Sequence, residues 1–118
     1  MRNRAINALV EMGMPADVRG FRYIVDAMCL FEEEEWRNGK TTMLYWKIGA
    51  MNGAKASNVE RAIRHAFKTV FDKGNLEVVE NYLSFNNKTN GNLLHLLYLR
   101  LEQKKEEENA NDLENATP

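Results

Sequence analysis

The sequence predicts an all-α fold, a domain of six helices that contains a helix-turn-helix. Apolar residues recur at helical spacing along most of the 118 residues, the strict alternation of a half-buried strand is absent, and proline, which interrupts helices, occurs only twice. Domains usually hold about 100–200 residues, so this length predicts a single domain.

Turn residues divide the chain into the six predicted helices. Their spans are about 3–12, 18–36, 41–52, 57–72, 76–83 and 92–105. Gly13 follows the first helix because glycine suits the left-handed position after a helix, and Pro15 precedes the second because proline is tolerated in a first turn. The later turn signals are Asn38-Gly39, Gly53 and Gly74-Asn75.

Each predicted helix has an apolar set spaced to form one face. The first three sets are Ile6, Leu9 and Val10, then Phe21, Ile24, Val25, Met28, Leu30 and Phe31, then Met43, Leu44, Trp46, Ile48 and Met51. The last three are Val59, Ala62, Ile63, Ala66, Phe67 and Val70, then Leu76, Val79 and Leu83, then Leu93, Leu94, Leu96, Leu97, Leu99 and Leu101. These faces are the predicted core.

Charge is divided unevenly along the chain. Residues 1–101 carry 14 Lys and Arg against 11 Asp and Glu, a net charge of +3, whereas residues 102–118 carry two Lys against six Asp and Glu, a net charge of −4. Local charge steers a partner more than the total does. We therefore expect a helical domain at 1–105 and an acidic, disordered tail at 106–118, where apolar residues are few.

Several classes of protein are excluded. Cys29 is the only cysteine, so no intrachain disulfide or Cys-based zinc site is possible, and we expect it to be a buried small apolar residue. No apolar stretch approaches the roughly 20 residues that span a bilayer, and the N-terminus lacks the apolar region of a signal peptide. We expect a cytoplasmic protein with no membrane partner.

Enzyme chemistry has no support in the sequence. His65 and His95 are the only histidines, and no Ser-His-Asp set, phosphate-binding glycine loop or cluster of metal ligands is visible. We expect no enzyme, cofactor or metal. His95 lies among leucines and is expected to be a packed or edge residue. Trp36 and Trp46 are expected in the core or at its rim, because basic residues do not alternate with them as in a single-strand groove.

The helix predicted at 57–72 is apolar on one side and basic on the other. Ser57 and Glu60 match the S-x-x-E capping box, which predicts the helix start at Ser57. Residues 55–75 carry five Lys and Arg against Glu60 and Asp72, a local net charge of +3. Amphipathic helices with a few arginines are common, so this pattern alone does not establish a function.

These residue types suit DNA. Arginine can pair with O6 and N7 of guanine, glutamate can accept a hydrogen bond from N4 of cytosine, and Lys and His on the flank can contact phosphates. Glu60 repels phosphate, so it favours either base contact or a simple capping role. The candidate DNA-binding residues are Lys55, Ser57, Asn58, Glu60, Arg61, Arg64, His65 and Lys68.

The residues before this helix complete a helix-turn-helix pattern. Gly49 is small where the two helices approach, Gly53 supplies the turn, and Ile48 and Val59 lie where the helices pack together. In this motif the first helix crosses the DNA backbone, and the second enters the major groove by its N-terminal residues.

Three segments resemble a known family. The segment SNVERAIRHAF, followed by DKGN, is similar to the recognition helix of the stage-zero sporulation protein A effector domain. EMGMPADVRGFRYIVDAM resembles its opening helices, and TNGNLLHLLYLRLEQK is more loosely similar to its last helix. The resemblance covers about residues 5–105.

The resemblance implies a response-regulator effector domain of endospore-forming Firmicutes, with six helices and a helix-turn-helix. Such domains bind double-stranded DNA at a promoter box like TGTCGAA, often as tandem head-to-tail copies, regulate transcription, and contact the sigma subunit of RNA polymerase. Glu60, Arg61, Arg64 and His65 correspond to the groove-facing residues, and Ser57 to the helix start.

The sequence also departs from the family. Asn58 replaces the usual Arg, and asparagine prefers adenine and has a shorter reach. Asn52 replaces an apolar residue, so we expect the turn to pack differently. The segment for the sigma subunit falls near 76–86, where the sequence diverges, and no residue there is carried over. Full-length members have a receiver domain before this module, so the chain is either an excised domain or acts without phosphorylation.

Two functions follow. The first is a sequence-specific transcriptional regulator that binds such a promoter box. The second is a protein-interaction module that pairs with a full-length regulator and modulates it, through Leu96, Tyr98 and Leu99 on the last helix. Asn58 and the acidic tail favour the second.

Overall fold

The computed structural model describes residues 1–116, and these residues form seven helices without a strand. The helices are α1 (Arg2–Glu11), α2 (Arg19–Leu30), α3 (Glu34–Arg37), α4 (Thr41–Asn52), α5 (Ala56–Lys73), α6 (Leu76–Val79) and α7 (Asn90–Ala116). The predicted all-α fold is confirmed. No helix in this part of the chain is both long and apolar enough to cross a membrane.

The seventh helix arises because the segment predicted as one helix over 18–36 is broken. Helix α2 ends at Leu30, and α3 starts after Glu33, which has an extended backbone with φ of −91° and ψ of 125°. The guanidinium of Arg37 donates to the carbonyl oxygen of Phe31 at 2.8 Å. This bond supplies a partner for a carbonyl at the end of α2, as helix ends require.

Helix α5 lies at the centre and packs against α2, α4, α6 and α7. The largest fully buried side chains come from the apolar faces of five of the seven helices or from residues that directly follow one, and burial of each contributes about 1.5–3 kcal/mol. They are Leu9, Met12, Ile24, Met28, Phe31, Leu44, Ile48, Ile63, Phe67, Leu93, Leu94 and Leu97.

The predicted core is wrong at several exposed residues, Val10 (57%), Leu76 (47%) and Leu99 (57%), and most clearly in α4. Leu44 and Ile48 are buried as expected, but Met43, Trp46 and Met51 are 53%, 61% and 50% exposed. A single helix buries one stripe, and among the described residues no helix covers the opposite side of α4. Trp46 therefore lies on the surface rather than in the core or at its rim.

Two other packing expectations have different outcomes. Cys29 is only partly buried, in contrast to the expected buried position, and the burial that it has raises the pKa of its thiol. His95 is a packing residue, as predicted. Its Nδ1 lies 2.7 Å from the carbonyl oxygen of Gly91 and its Nε2 lies 2.9 Å from that of Arg37, while its ring packs on Phe31.

The last helix is longer than predicted. Helix α7 continues from Asn90 to Ala116, so residues 106–116 are helical, which differs from the expected disordered tail. Glu, which favours helices, occurs four times there, and Arg4 of α1 pairs with the carboxylate of Glu108. The division at residue 105 stays a prediction, and residues 117–118 of that tail lie outside the described residues.

Close helix crossings determine where α5 lies. A Cβ added at Gly20 would lie 2.2 Å from the carbonyl oxygen of Ala62, so only glycine allows α2 to approach α5 this closely. A Cβ added at Gly49 would lie 2.4 Å from the carbonyl oxygen of Ala54, which confirms the close approach predicted there.

Candidate nucleic-acid interface

A short turn joins α4 to α5. Gly53 follows α4 with φ of 68° and ψ of 34°, the left-handed conformation that glycine adopts most readily. The backbone N–H of Ala54 donates to the carbonyl oxygen of Gly49 at 2.9 Å, and Lys55 then takes an extended conformation before Ala56 begins α5. This three-residue connection has the length expected for a helix-turn-helix.

The predicted capping box is wrong. Lys55, not Ser57, is the N-cap residue, and no side chain caps α5. The carbonyl oxygen of Lys55 accepts hydrogen bonds from the N–H groups of Asn58 and Val59, so Ser57 is the second residue inside the helix. The left-handed Gly53 and the tight contact of Gly49 bring the chain into helical geometry before it reaches Ser57.

The buried side of α5 agrees with the predicted one except for Ala62, which is only partly buried. Val59, Ile63, Ala66, Phe67 and Val70 are buried. The opposite side is exposed, and its residues are Ser57, Asn58, Arg61, Arg64, His65 and Lys68. At about 3.6 residues per turn Arg61 lies near the middle of this side, which we call the basic face of α5.

Two cations of the basic face are paired within the helix. A guanidinium nitrogen of Arg64 lies 2.6 Å from the carboxylate of Glu60, and the ammonium of Lys68 lies 2.6 Å from that of Asp72. The hydrogen bond from Lys68 lowers the pKa of Asp72. Exposed pairs of this kind are weak, so a phosphate or base can displace them. In the described residues, Arg61 has no such pair.

Asn52 holds the turn to α2. Its side-chain nitrogen donates to the carboxylate of Asp26 at 2.9 Å and to the carbonyl oxygen of Ile48 at 2.8 Å. Asp26 is only 6% exposed, and Arg2 lies 3.8 Å from its other oxygen. The polar Asn52 therefore has a buried polar partner. Sequence reasoning missed Asp26, although an aspartate inside the apolar stripe of α2 was a signal.

Asn90 contacts the first turns of α5. This buried residue begins α7, and its side-chain nitrogen donates to the backbone carbonyl oxygen of Glu60 at 2.9 Å. The first turn of α5 is thus attached to α7, while Asn52 attaches the preceding turn to α2. Sequence reasoning missed Asn90 as well, because the two partners are 30 residues apart.

The fold and the basic face together define a helical DNA-binding domain with a helix-turn-helix. The family model described as sporulation initiation factor Spo0A C terminal matches residues 5–101. The chain belongs to this family, and it contains the DNA-binding effector domain of a sporulation regulator. The resemblance identified from the sequence is confirmed.

Proposed function

We propose that the chain is a sequence-specific transcriptional regulator that inserts α5 into the major groove of a promoter box similar to TGTCGAA. The observation that carries the proposal is the position of Arg61. It lies in the middle of the exposed side of the second helix of the motif, and no carboxylate in residues 1–116 pairs with it. An unpaired arginine is available for the two acceptors of guanine.

The other residues of the basic face have distinct expected roles. Arg61 and Arg64 contact guanine, and Glu60 accepts from cytosine after it releases Arg64. Asn58 contacts adenine or a phosphate, because its amide serves either partner. Lys55 and Ser57 lie at the start of α5, and His65 and Lys68 lie about one and two turns after Arg61. Phosphates are the expected partners of these four residues, which lie toward the two ends of the inserted segment.

The dimensions of α5 suit a short box. The segment from Ala56 to Lys68 rises about 18 Å, because each helical residue adds about 1.5 Å. One base pair occupies about 3.4 Å of duplex, so this segment extends along roughly five base pairs. That length lies within a box of seven base pairs.

A binding titration tests the proposal. Wild-type protein is titrated into a labelled duplex that carries the box and into a scrambled duplex, with fluorescence anisotropy as the readout. Wild type is expected to prefer the box, and Arg61→Ala to lose about 1–3 kcal/mol on the box and little on the scrambled duplex. Arg100→Ala is the matched control, because Arg100 is an exposed arginine on α7.

One outcome contradicts the assignment of the groove-facing helix. If Arg61→Ala and Arg64→Ala both bind the box as tightly as wild type, α5 does not contact its bases. The same titration of wild type without any preference for the box would reject base-specific binding altogether.

The second candidate function is a protein-interaction module that pairs with a full-length regulator. The exposed apolar side chains of α4, Met43, Trp46 and Met51, favour it. Tyr98 no longer supports it, because that ring is 6% exposed and packs edge-on against Phe31. Light scattering distinguishes the two functions: self-association without DNA binding favours this second one.

Three further expectations remain proposals. A contact with the sigma subunit of RNA polymerase and pairing of two copies on tandem boxes rest on the family resemblance, and a cytoplasmic location rests on the composition of the sequence. Within the segment 76–86, Leu76 and Phe85 are 47% and 44% exposed and are available for a protein contact.

A further inference from the structure

Cations from other elements border the basic face of α5 on both sides. Arg19 of α2 lines the same shallow groove as Asn58, Arg61 and His65. On the other side, Lys88 in the loop before α7 lines grooves with Arg64. Arg22, one turn after Arg19, lines a depression beside the turn formed by residues 52–54. We call Arg19, Arg22 and Lys88 the flanking cations.

The part of α2 that carries Arg19 and Arg22 packs closely on α5. Gly20 lies between them in the chain, and its backbone approaches that of Ala62 so closely that a Cβ there would lie 2.2 Å from the Ala62 carbonyl oxygen. Arg19 and Arg22 are exposed, and no carboxylate among the described residues pairs with either. For Arg19 the nearest acidic residue along the chain is Asp17, also exposed, and for Arg22 it is Asp26, whose partners are Asn52 and Arg2.

Lys88 is positioned by an aromatic ring. Its ammonium lies 4.6 Å from the centre of the Phe71 ring on α5, an arrangement that attracts a cation to the ring face. The pKa of Asp72 is lowered first by its hydrogen bond from Lys68, and the charge of Lys88 lowers it less. Asp72 is thus paired with Lys68 and not with Lys88. Lys88 therefore keeps its charge available at the edge of α5.

The width of the DNA major groove indicates what the flanking cations contact. The major groove is about 12 Å wide, and a helix with its side chains is about 10–12 Å across, so an inserted helix fills the groove. The groove walls are the phosphate backbones of the two strands. Cations that stand beside the inserted helix, rather than on it, then face these walls.

We propose that Arg19 and Arg22 bind phosphates of one strand while Lys88 binds a phosphate of the other, so that the domain holds both walls of the groove. This inference rests on the proposed insertion of α5. The flanking cations position the domain and supply affinity that depends on salt, but they do not select a sequence, because phosphates are the same at every base pair.

Salt-dependent titrations test the proposal. The variants Arg19→Gln/Arg22→Gln and Lys88→Gln are titrated into the box duplex and the scrambled duplex at several salt concentrations. Each lost phosphate contact is expected to reduce the slope of log K against log salt by about 0.9, and affinity is expected to fall by a similar factor on both duplexes. Circular dichroism confirms that each variant is folded.

The chain offers matched controls. Arg100→Gln and Lys105→Gln remove the same charges from exposed positions of α7, and Lys105 lies about 22 Å along that helix from Asn90. Both controls are expected to keep the wild-type slope. Arg22→Lys is expected to keep it as well, because a phosphate contact needs the charge and not the shape of the guanidinium.

The outcomes separate this inference from the proposed function. Wild-type slopes for the flanking variants, together with loss of box preference in Arg61→Ala, overturn the inference and leave the proposed function intact. A changed slope on only one side also overturns contact with both walls. Reduced slopes on both sides support the inference, and they do so even if wild type shows no preference for the box, a result that rejects only the base contacts.

Discussion

Helices α4 and α5 belong to the same motif, yet their exposed sides have opposite chemistry. Each helix buries a stripe that includes an isoleucine with no exposed surface, Ile48 in α4 and Ile63 in α5. The exposed side of α4 is apolar, with Trp46 at its middle, whereas that of α5 is basic, with Arg61 at its middle. The buried stripes determine how the motif folds, and the exposed sides determine what each helix can bind.

The largest effects are expected on the buried sides, where the two helices are alike. Ile48→Ala and Ile63→Ala should each lower the free energy of unfolding by about 2–5 kcal/mol, because each leaves a cavity in a packed core. Chemical denaturation measures both. Trp46→Ala is the control on the exposed side of α4. If it costs as much as Ile48→Ala, that side is covered and the contrast between the helices fails.

The next largest effect is expected where the two helices meet. Gly49→Ala should cost about 1–3 kcal/mol, because the added carbon overlaps the backbone of Ala54. It should also weaken binding to the box, since α5 must shift relative to α4. Ala50→Ser, exposed on the same helix, is expected to stay within about 0.5 kcal/mol of wild type. Wild-type stability and binding for Gly49→Ala would contradict this packing.

A similar or smaller effect is expected at the turn. Asn52→Ala removes the hydrogen bond to the buried carboxylate of Asp26 and should destabilise the fold by about 1–3 kcal/mol. Thermal unfolding measures the loss. The double variant Asn52→Leu/Asp26→Leu removes both polar groups and should recover part of it. If the double variant is less stable than Asn52→Ala, the bond is not the reason for the cost.

The smallest effect on stability is expected on the basic face itself. Glu60→Gln breaks an exposed pair with Arg64 and should cost only about 0.2–0.5 kcal/mol. Its effect on DNA should be clearer: affinity for a scrambled duplex rises because a charge that repels phosphate is gone, while preference for the box falls. An unchanged ratio of the two affinities would show that Glu60 contacts no base.

Much of the fold could be predicted because helical periodicity is a local property. The span predicted for the third helix, 41–52, is the observed span of α4, and the buried side of α5 differs from the predicted set only at Ala62, which is partly buried. Two of the errors concern where a helix ends. The break after Leu30 involves Arg37, and the helical continuation beyond residue 105 involves Arg4.

In the candidate site, too, local spacing could be predicted from the sequence, whereas contacts made in the fold could not. The types and spacing of Asn58, Arg61 and His65 on one face follow from the sequence, since about 3.6 residues complete each turn. The S-x-x-E spacing of four residues predicts a cap at Ser57, but the close contact between Gly49 and Ala54 precedes that position and α5 begins at Ala56.

By itself, the sequence of this protein determined an amphipathic basic helix after a tight turn, because periodicity and turn residues act within a few positions along the chain. Only the tertiary structure decided which side chains surround that helix. Arg19 of α2 lines a groove with residues of that helix, and Asn90 of α7 donates a hydrogen bond to Glu60, 30 residues away in the chain. Asn52 attaches the preceding turn to Asp26, 26 residues away. Such contacts depend on how whole helices pack, and no local pattern in the sequence predicts them.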